Sequence, residues 1–320
     1  MSGPHEPGST AVETPGRHRP VLLQETLGFL RNGPGLYLDA TLGEAGHARA
    51  LLEAEPEARL LGCDRDPAAV AHARGLLATL GARVIVEQAS FRQLPEIHRR
   101  HGGEPFAGAL FDLGLSSRQL DDPERGMSFM AEGPLDLRMD PGSGTPAAEA
   151  LKRVEERELA EVLRRHGEVP RAAHLARAIS GAARAGRLET TSALVATVER
   201  CLGGRAHPRR LAQVFQALRR WVNEEAEELE AALSWLPAAM RPGGVVVTIA
   251  FHSLEDRTIK QALRGIQAAP RRLPPLPTSR PAEGPWETLT RHVVTPTSVE
   301  RASNPRSRSA RLRAFRRRTS

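Results

Sequence analysis

The chain reads as an α/β protein in which an open, largely parallel sheet with helices on both faces is interrupted by an all-helical insertion. Three observations carry that class. Short apolar runs at Leu36–Ala40, Arg59–Cys63, Arg83–Glu87 and Phe106–Phe111 are spaced by turns and helical stretches, the rhythm of strand–helix–strand units. The next run of the kind, Val245–Phe251, arrives only after a long region of helical periodicity. Acidic or polar residues close these runs, placing side chains at the carboxyl edge where open parallel sheets bind ligands.

Each element follows from its own residues. Residues 1–17 are rich in Pro, Gly, Ser and Thr without periodicity and are expected to be disordered. Val21, Leu22, Leu27 and Leu30 mark a short amphipathic helix before the first strand. Helices open at His47 and Pro67, the latter running to about Leu80. The insertion is placed at residues 130–207. There Pro146 fits a first helical position, and Leu159, Val162 and Leu163 lead to a stop at Gly167. Two more apolar stripes follow, at Leu175–Ala182 and Leu194–Leu202. One long helix, Arg209 to Trp235, then returns the chain to the sheet. Gln267–Pro285 is a proline-rich loop, and Arg291–Val294 and Arg311–Phe315 are the last strand candidates. The sheet domain therefore comprises residues 18–129 and 208–320, with a basic C-terminal tail.

Composition narrows the function. The net charge is +7, yet the segment from Arg301 onward holds eight arginines and no acid, enough to account for all of it. A concentrated arginine segment suits phosphate contact. With aromatic residues at 4%, stacking platforms are scarce, which favours structured RNA over a long single strand. Cys63 and Cys201 make no disulfide framework and read as ordinary thiols, so a reducing, cytoplasmic location is expected. The longest apolar run is far short of the roughly 20 residues a membrane helix needs, so a soluble protein with no membrane partner is expected.

Chemistry concentrates in Ala109–Asp140, ALFDLGLSSRQLDDPERGMSFMAEGPLDLRMD, an apolar strand that gives way to a long polar loop at Asp112. The turn LDATLGEAGHA after the first strand lacks the G-x-G-x-x-G of a pyrophosphate site, which disfavours a nicotinamide-dependent dehydrogenase. A ligand without phosphates, such as S-adenosylmethionine, needs only a close backbone approach there. After the second strand, Asp64 is placed to accept both hydroxyl protons of a ribose, while Asp66, before Pro67, reads as a helix cap. FHSLEDR, ending the fifth strand, offers His252, Ser253, Glu255 and Asp256. Sequence neighbours rarely have hydrolase-triad geometry, and the spacing matches no metal-ligand pattern, so no metal is assigned.

Taken together, YLDATLGEAGHA, GCDRDP, the Ala109–Asp140 stretch, FQALRRWVNEE, FHSLEDR and NPRSRSARLR, in this order, closely resemble the bacterial small-subunit ribosomal RNA cytosine-N4 methyltransferase family. The resemblance runs from about His18 to Phe315. It implies a class I, Rossmann-like methyltransferase sheet with an inserted helical substrate-recognition domain. It also implies S-adenosylmethionine as cofactor, and as substrate a cytidine in the decoding region of an assembled or nearly assembled small subunit. The cofactor positions fall on Ala45, Gly46, His47, Asp64, Phe91, Asp112 and Gln119. The catalytic candidates are Asp112, with cofactor contact alone as its rival role, and His252 and Ser253 to orient the base. Arg125, Arg138, Arg306 and Arg308 are the candidate RNA contacts, and the chain acts as a monomer or homodimer. One departure stands out: where the family turn usually reads G-R-G-G-H, this chain has Gly43-Glu44-Ala45-Gly46-His47. Backbone contacts survive an alanine there if φ is negative. A non-catalytic RNA-binding assembly factor on the same fold is the alternative reading.

Overall fold

A computed structural model describes residues 19–264 and 284–319. The N-terminal segment expected to be disordered and most of the loop expected at Gln267–Pro285 lie outside the described residues. Among those described, seven strands form one sheet: β1 Gly35–Asp39, β2 Ala58–Asp64, β3 Val84–Gln88, β4 Phe106–Asp112, β5 Met240–Ala250, β6 Trp286–Thr288 and β7 Arg311–Arg317. Their spatial order is β3-β2-β1-β4-β5-β7-β6, with β1 to β5 mutually parallel and β7 antiparallel to both neighbours. Strand order therefore reverses between β1 and β4, where the register sets Asp39 beside Leu110. The crevice opened there by diverging helices is the standard ligand position of an open parallel sheet.

Both faces of the sheet are buried, so its strands lack polar alternation. Along β5, Val246 and Ala250 enter one apolar cluster, while Val245, Val247 and Ile249 enter the other. The first of these clusters is completed by Leu229, Leu233 and Leu236, and the second by Leu51, Leu52 and Leu77. At the stiffness of a close-packed interior, the strand ends at Asp39, Asp64 and Asp112 become fixed points on which a site can be built.

A third cluster forms the helical unit, from helices Ala147–Arg153, Glu156–Gly167, Ala172–Arg184, Thr191–Leu202 and Pro208–Val222. Here the structure departs from the expected single helix over Arg209–Trp235. Two helices occupy that span, Pro208–Val222 and Glu225–Ala239, broken where Glu224 takes a left-handed φ of 51°. Asn223 causes the break. Its buried amide donates to the carbonyl of Leu137 at 2.7 Å and accepts from Met139 N at 2.8 Å, fastening the polar loop to the joint. Leu211, Val214, Phe215 and Leu218 pack into the helical cluster and Leu229 and Leu233 against the sheet, so the helical unit reaches past residue 207.

Three further differences concern a helix, the sheet edge and the C-terminal segment. A helix at Leu94–Arg100, absent from the sequence reading, links β3 to β4. The edge strand is Trp286–Thr288 rather than Arg291–Val294, of which only Val294 makes an isolated bridge to Leu312. The buried hydroxyl of Thr290 accepts from Ala314 N and ends the ladder early. The basic segment is not a free tail, because β7 pairs with β5 and buries Arg313 against Asp256 at 2.5 Å. Burial raises the Asp256 carboxyl, but hydrogen bonds from Arg313 and Lys260 outweigh it and hold the group below the usual range. No helix among the described residues is long and apolar enough to cross a membrane.

Candidate active site

The turn after β1 bends back over the sheet edge and starts the helix Gly46–Ala54. Ala45, at its N-cap, has φ 57° and ψ 23°, so the condition on the missing glycine fails: an alanine occupies a left-handed position. Such backbone costs about 1–2 kcal/mol without glycine. The methyl is fully buried in the apolar cluster beneath the turn, which offsets part of that cost. Gly46 admits no side chain, since a Cβ would lie 2.3 Å from Pro20 Cγ.

A cavity opens above this turn. Gly46, His47, Asp64, Phe91, Asp112 and Gln119 all line it, whereas Ala45 does not. Asp64 is held from both sides, accepting from Gly43 N and Asp66 N at 2.8 Å each, with its remaining lone pairs available to the cavity. Asp66 caps the helix Pro67–Leu77, as expected from its place before proline. Gln119 donates to Asp66 at 2.9 Å and accepts from Ser116 N, so its amide ties the loop to the end of β2. Phe91 stands edge-on to Phe111 at 5.4 Å and supplies an apolar wall. His47 directs Nε2 to the Val21 carbonyl at 3.0 Å, which fixes the proton there, and brings Nδ1 to 3.8 Å from Asp112 Oδ2.

Asp112 is the most exceptional group. Its backbone N–H donates to Thr41 Oγ1 at 2.7 Å, while its Oδ1 is buried without a hydrogen-bond partner among the described residues. Burial pushes its carboxyl up to about 7, against a lowering contribution from the Gly114 N–H; the Glu255 charge adds to the rise. Asp39 is also pushed up to about 7 and Asp64 to about 6, burial leading in both, so three acids at one sheet edge share the cost of charge. Perturbed carboxyls converging in a cleft are the signature of a working site.

A second cavity adjoins the first, between the sheet edge and the helical unit. Met127, Phe129, Phe215, Arg219, His252 and Glu255 contribute to its lining. The two cavities share Leu113, Gly114, Leu115, Phe251, Glu255 and Arg306. That partition requires glycine at 114, where a Cβ would meet Phe251 Cε2 at 2.7 Å. Glu255 anchors it, accepting from Phe251 N at 2.9 Å and lying 2.7 Å from His252 Nε2. Ser253, by contrast, lines neither cavity and instead donates to Glu168 at 3.4 Å.

A site of two cavities and one partially open carboxylate fits a reaction between two ligands across a thin wall. The match of family models is decisive here: the description "MraW methylase family" fits residues 16–318. The chain belongs to this methylase family. Among its relatives, a protein named Ribosomal RNA small subunit methyltransferase H from Thermomicrobium roseum is 47% identical, over 93% of this chain and 92% of its own. Proteins of the same name from Methylobacterium nodulans and Sorangium cellulosum are 42% and 44% identical, covering 93% and 94% of this chain and 89% and 91% of theirs. A solved rRNA methylase of Streptococcus thermophilus superposes with a TM-score of 0.41 and 10% identity over 93% of this chain and 94% of that one, too loosely to add to the fold described above.

The arginine candidates divide by their surroundings. Arg125 gives its guanidinium to Asp66 at 3.1 and 3.2 Å and to the Met139 carbonyl, and Arg138 forks onto Asp136 with two bonds of 2.7 Å. Both therefore brace the polar loop. Arg306 is exposed, pairs with Asp121 at 2.6 Å and borders both cavities, and Arg308 is exposed without an ion-pair partner among the described residues. Sequence reasoning gave no role to Arg219, Arg220, Asn223 or Glu255 in this methylase site. A signal existed for Arg220, which is buried at 4% exposure, three residues after buried Ala217 on an otherwise apolar face.

Proposed function

We propose that this chain transfers a methyl group from S-adenosylmethionine to the N4 exocyclic amine of a cytidine in the decoding region of small-subunit ribosomal RNA, in an assembled or nearly assembled subunit. The observation that carries this reading is the pair of adjoining cavities, with the Asp112 carboxylate in the first, next in sequence to Leu113 and Gly114 of the shared wall. The relatives' shared name supports the RNA class.

The first cavity fits the cofactor on its own terms. Asp64, fixed by two backbone N–H groups, has free lone pairs for a ribose diol, the apolar wall of Phe91 suits a purine, and no cradle for a pyrophosphate is present in the turn. When bound, S-adenosylmethionine supplies an electrophilic methyl on its sulfonium. Gly46 and its helix N-terminus would approach the amino-acid end through backbone, and His47, tied to the Val21 carbonyl, lines the cavity beside Asp112.

The second cavity takes the base. A cytosine amine is a weak nucleophile because its lone pair is delocalised into the ring. The Asp112 carboxylate accepts one N4 hydrogen, draws the amine toward a pyramidal shape, and takes the proton as N4 gains the methyl that the cofactor would supply. The proton then leaves to solvent. His252, on the wall, orients the base, whereas Ser253, turned to Glu168 outside both cavities, takes no part in the step. The target base must leave its stack at a cost of a few kcal/mol. The helical unit, Arg306 and Arg308 offset this through phosphate and shape contacts.

The test is methyl transfer from labelled S-adenosylmethionine to small subunits lacking the modification, followed by nucleoside digestion and mass spectrometry. Label in N4-methylcytidine is the expected result. Intact cofactor binding without transfer would instead favour a non-catalytic assembly role.

A further inference from the structure

The second cavity contains a full positive charge that the reaction just described leaves unused. Arg219 stands on the Pro208–Val222 helix with its side chain only 12% exposed, in a cavity whose lining includes the apolar side chains of Met127, Phe129, Phe215 and Phe251. A guanidinium placed against apolar side chains is costly unless each of its donors is used. Glu225 uses part of it, accepting from Nε at 2.7 Å and from Nη2 at 3.0 Å. That two-point clamp fixes the plane of the fork. Nη1 is left with two N–H donors and no protein partner among the described residues.

We infer that Arg219 is the specificity-determining residue of the second cavity, selecting cytosine by donating through Nη1 to the N3 and O2 acceptors of the base. This rests on the functional reading above. The cytosine pairing edge presents one donor, N4–H, followed by the acceptors N3 and O2. The adjoining cavities present the complement: a partly exposed carboxylate acceptor at Asp112 in the first and an open donor group at Arg219 Nη1 in the second. Glu255 lines both cavities, so the partition it belongs to has Asp112 on one side and Arg219 on the other. Uracil offers an acceptor to Asp112 and an N3–H to the guanidinium, so both contacts turn repulsive. Because a guanidinium does not give up its proton, the donor character of this wall is permanent. A lysine would bring charge without the planar fork.

The test compares RNA carrying cytidine with RNA carrying 3-deazacytidine at the target position, where a C–H replaces the N3 acceptor. For the unmodified protein we expect kcat/KM to fall about 10- to 100-fold on the analogue, the range for loss of one charge-assisted hydrogen bond. In Arg219→Lys the rate on cytidine falls, but the further penalty for the analogue shrinks to about threefold or less. A merely structural role for Arg219 would leave the analogue penalty intact. Equal rates on the two RNAs with the unmodified protein, or a full analogue penalty in the variant, would overturn the assignment. If Arg219→Lys does not fold, Arg219→Gln is put through the same comparison, with the same result expected and the same result overturning the assignment. Failure to form N4-methylcytidine even on the natural RNA overturns the underlying function, and the assignment with it.

Discussion

Replacing Asp112 with Asn should stabilise the protein in mild alkali while abolishing turnover. Unfolded, this carboxyl ionises near 3.8; in the folded protein, burial pushes it up to about 7. Between those values the native state keeps a proton that the unfolded chain has released, so stability falls as pH rises from about 4 to 7, and the full cost is present above 7. At 1.36 kcal/mol per tenfold, that cost has a ceiling of about 4 kcal/mol. The side chain retains 22% exposure, which screens part of it, and an Asn amide facing the unpartnered Oδ1 position returns about 1–2 kcal/mol. The net gain is about 1–2 kcal/mol at pH 8, or about 2–4 °C in Tm for a chain of this size. At pH 5 most of the gain is gone. Thermal unfolding at both pH values, paired with cofactor titration and single-turnover methyl transfer, checks the reasoning. We expect kcat to fall at least about 100-fold with cofactor affinity nearly unchanged. A variant less stable than the parent at pH 8, or shifted equally at pH 5 and 8, would refute burial as the cause of the raised carboxyl. Retained turnover would refute its role as proton acceptor.

Other residues give independent tests. Burial pushes Asp64 up to about 6, so affinity for S-adenosylmethionine should weaken as pH falls through 6; calorimetry on Asp64→Asn should show weak binding with that pH dependence gone. Ala45→Gly relieves left-handed backbone worth about 1–2 kcal/mol but loses a buried methyl and gains unfolded-state entropy of similar total, so its stability should change by less than about 1 kcal/mol. Ala45→Val, branched and overpacked there, should cost more than about 2 kcal/mol by denaturant unfolding. Arg306→Ala with Arg308→Ala should weaken RNA binding and reduce the slope of log affinity against log salt by nearly two, measured by filter binding across salt concentrations. An unchanged slope would remove both from the RNA interface.

Much of this architecture was legible in the sequence because the sheet is buried on both faces and announces itself as short apolar runs closed by acids. Asp39, Asp64 and Asp112 are those closures, and the crevice they define follows from parallel topology alone. Where the reading departed from the structure, a polar side chain had overridden the local pattern. Helical periodicity runs unbroken through Asn223, and only its bonds to Leu137 and Met139, more than eighty residues away in sequence, show why the helix stops. Arg125 and Arg138 look like surface charges until Asp66 and Asp136 are seen to face them.

The C-terminal arginines show most clearly why charge alone misleads. Eight arginines with no acid from Arg301 onward form the strongest compositional feature of the chain, and a sequence argument assigns them to RNA as a group. The structure sorts them by partner. Arg313 neutralises buried Asp256, Arg316 meets Glu287, and Arg317 bonds the Pro237 carbonyl, so these three hold β7 in the sheet. Deleting the segment would therefore remove a strand beside β5 and the Arg313 partner of Asp256 on the helix Ser253–Arg264, confounding any binding measurement. Point substitution at the exposed Arg306 and Arg308 separates the two roles, because neither donates to the β5–β7 ladder. The same logic applies inside the site. Arg220 is nearly fully buried with Nε 4.0 Å from Glu225 and without a hydrogen-bond partner among the described residues, and Arg219 is clamped by Glu225 with one nitrogen open. In this chain a charge becomes informative at the point where its donors outnumber the acceptors the fold provides.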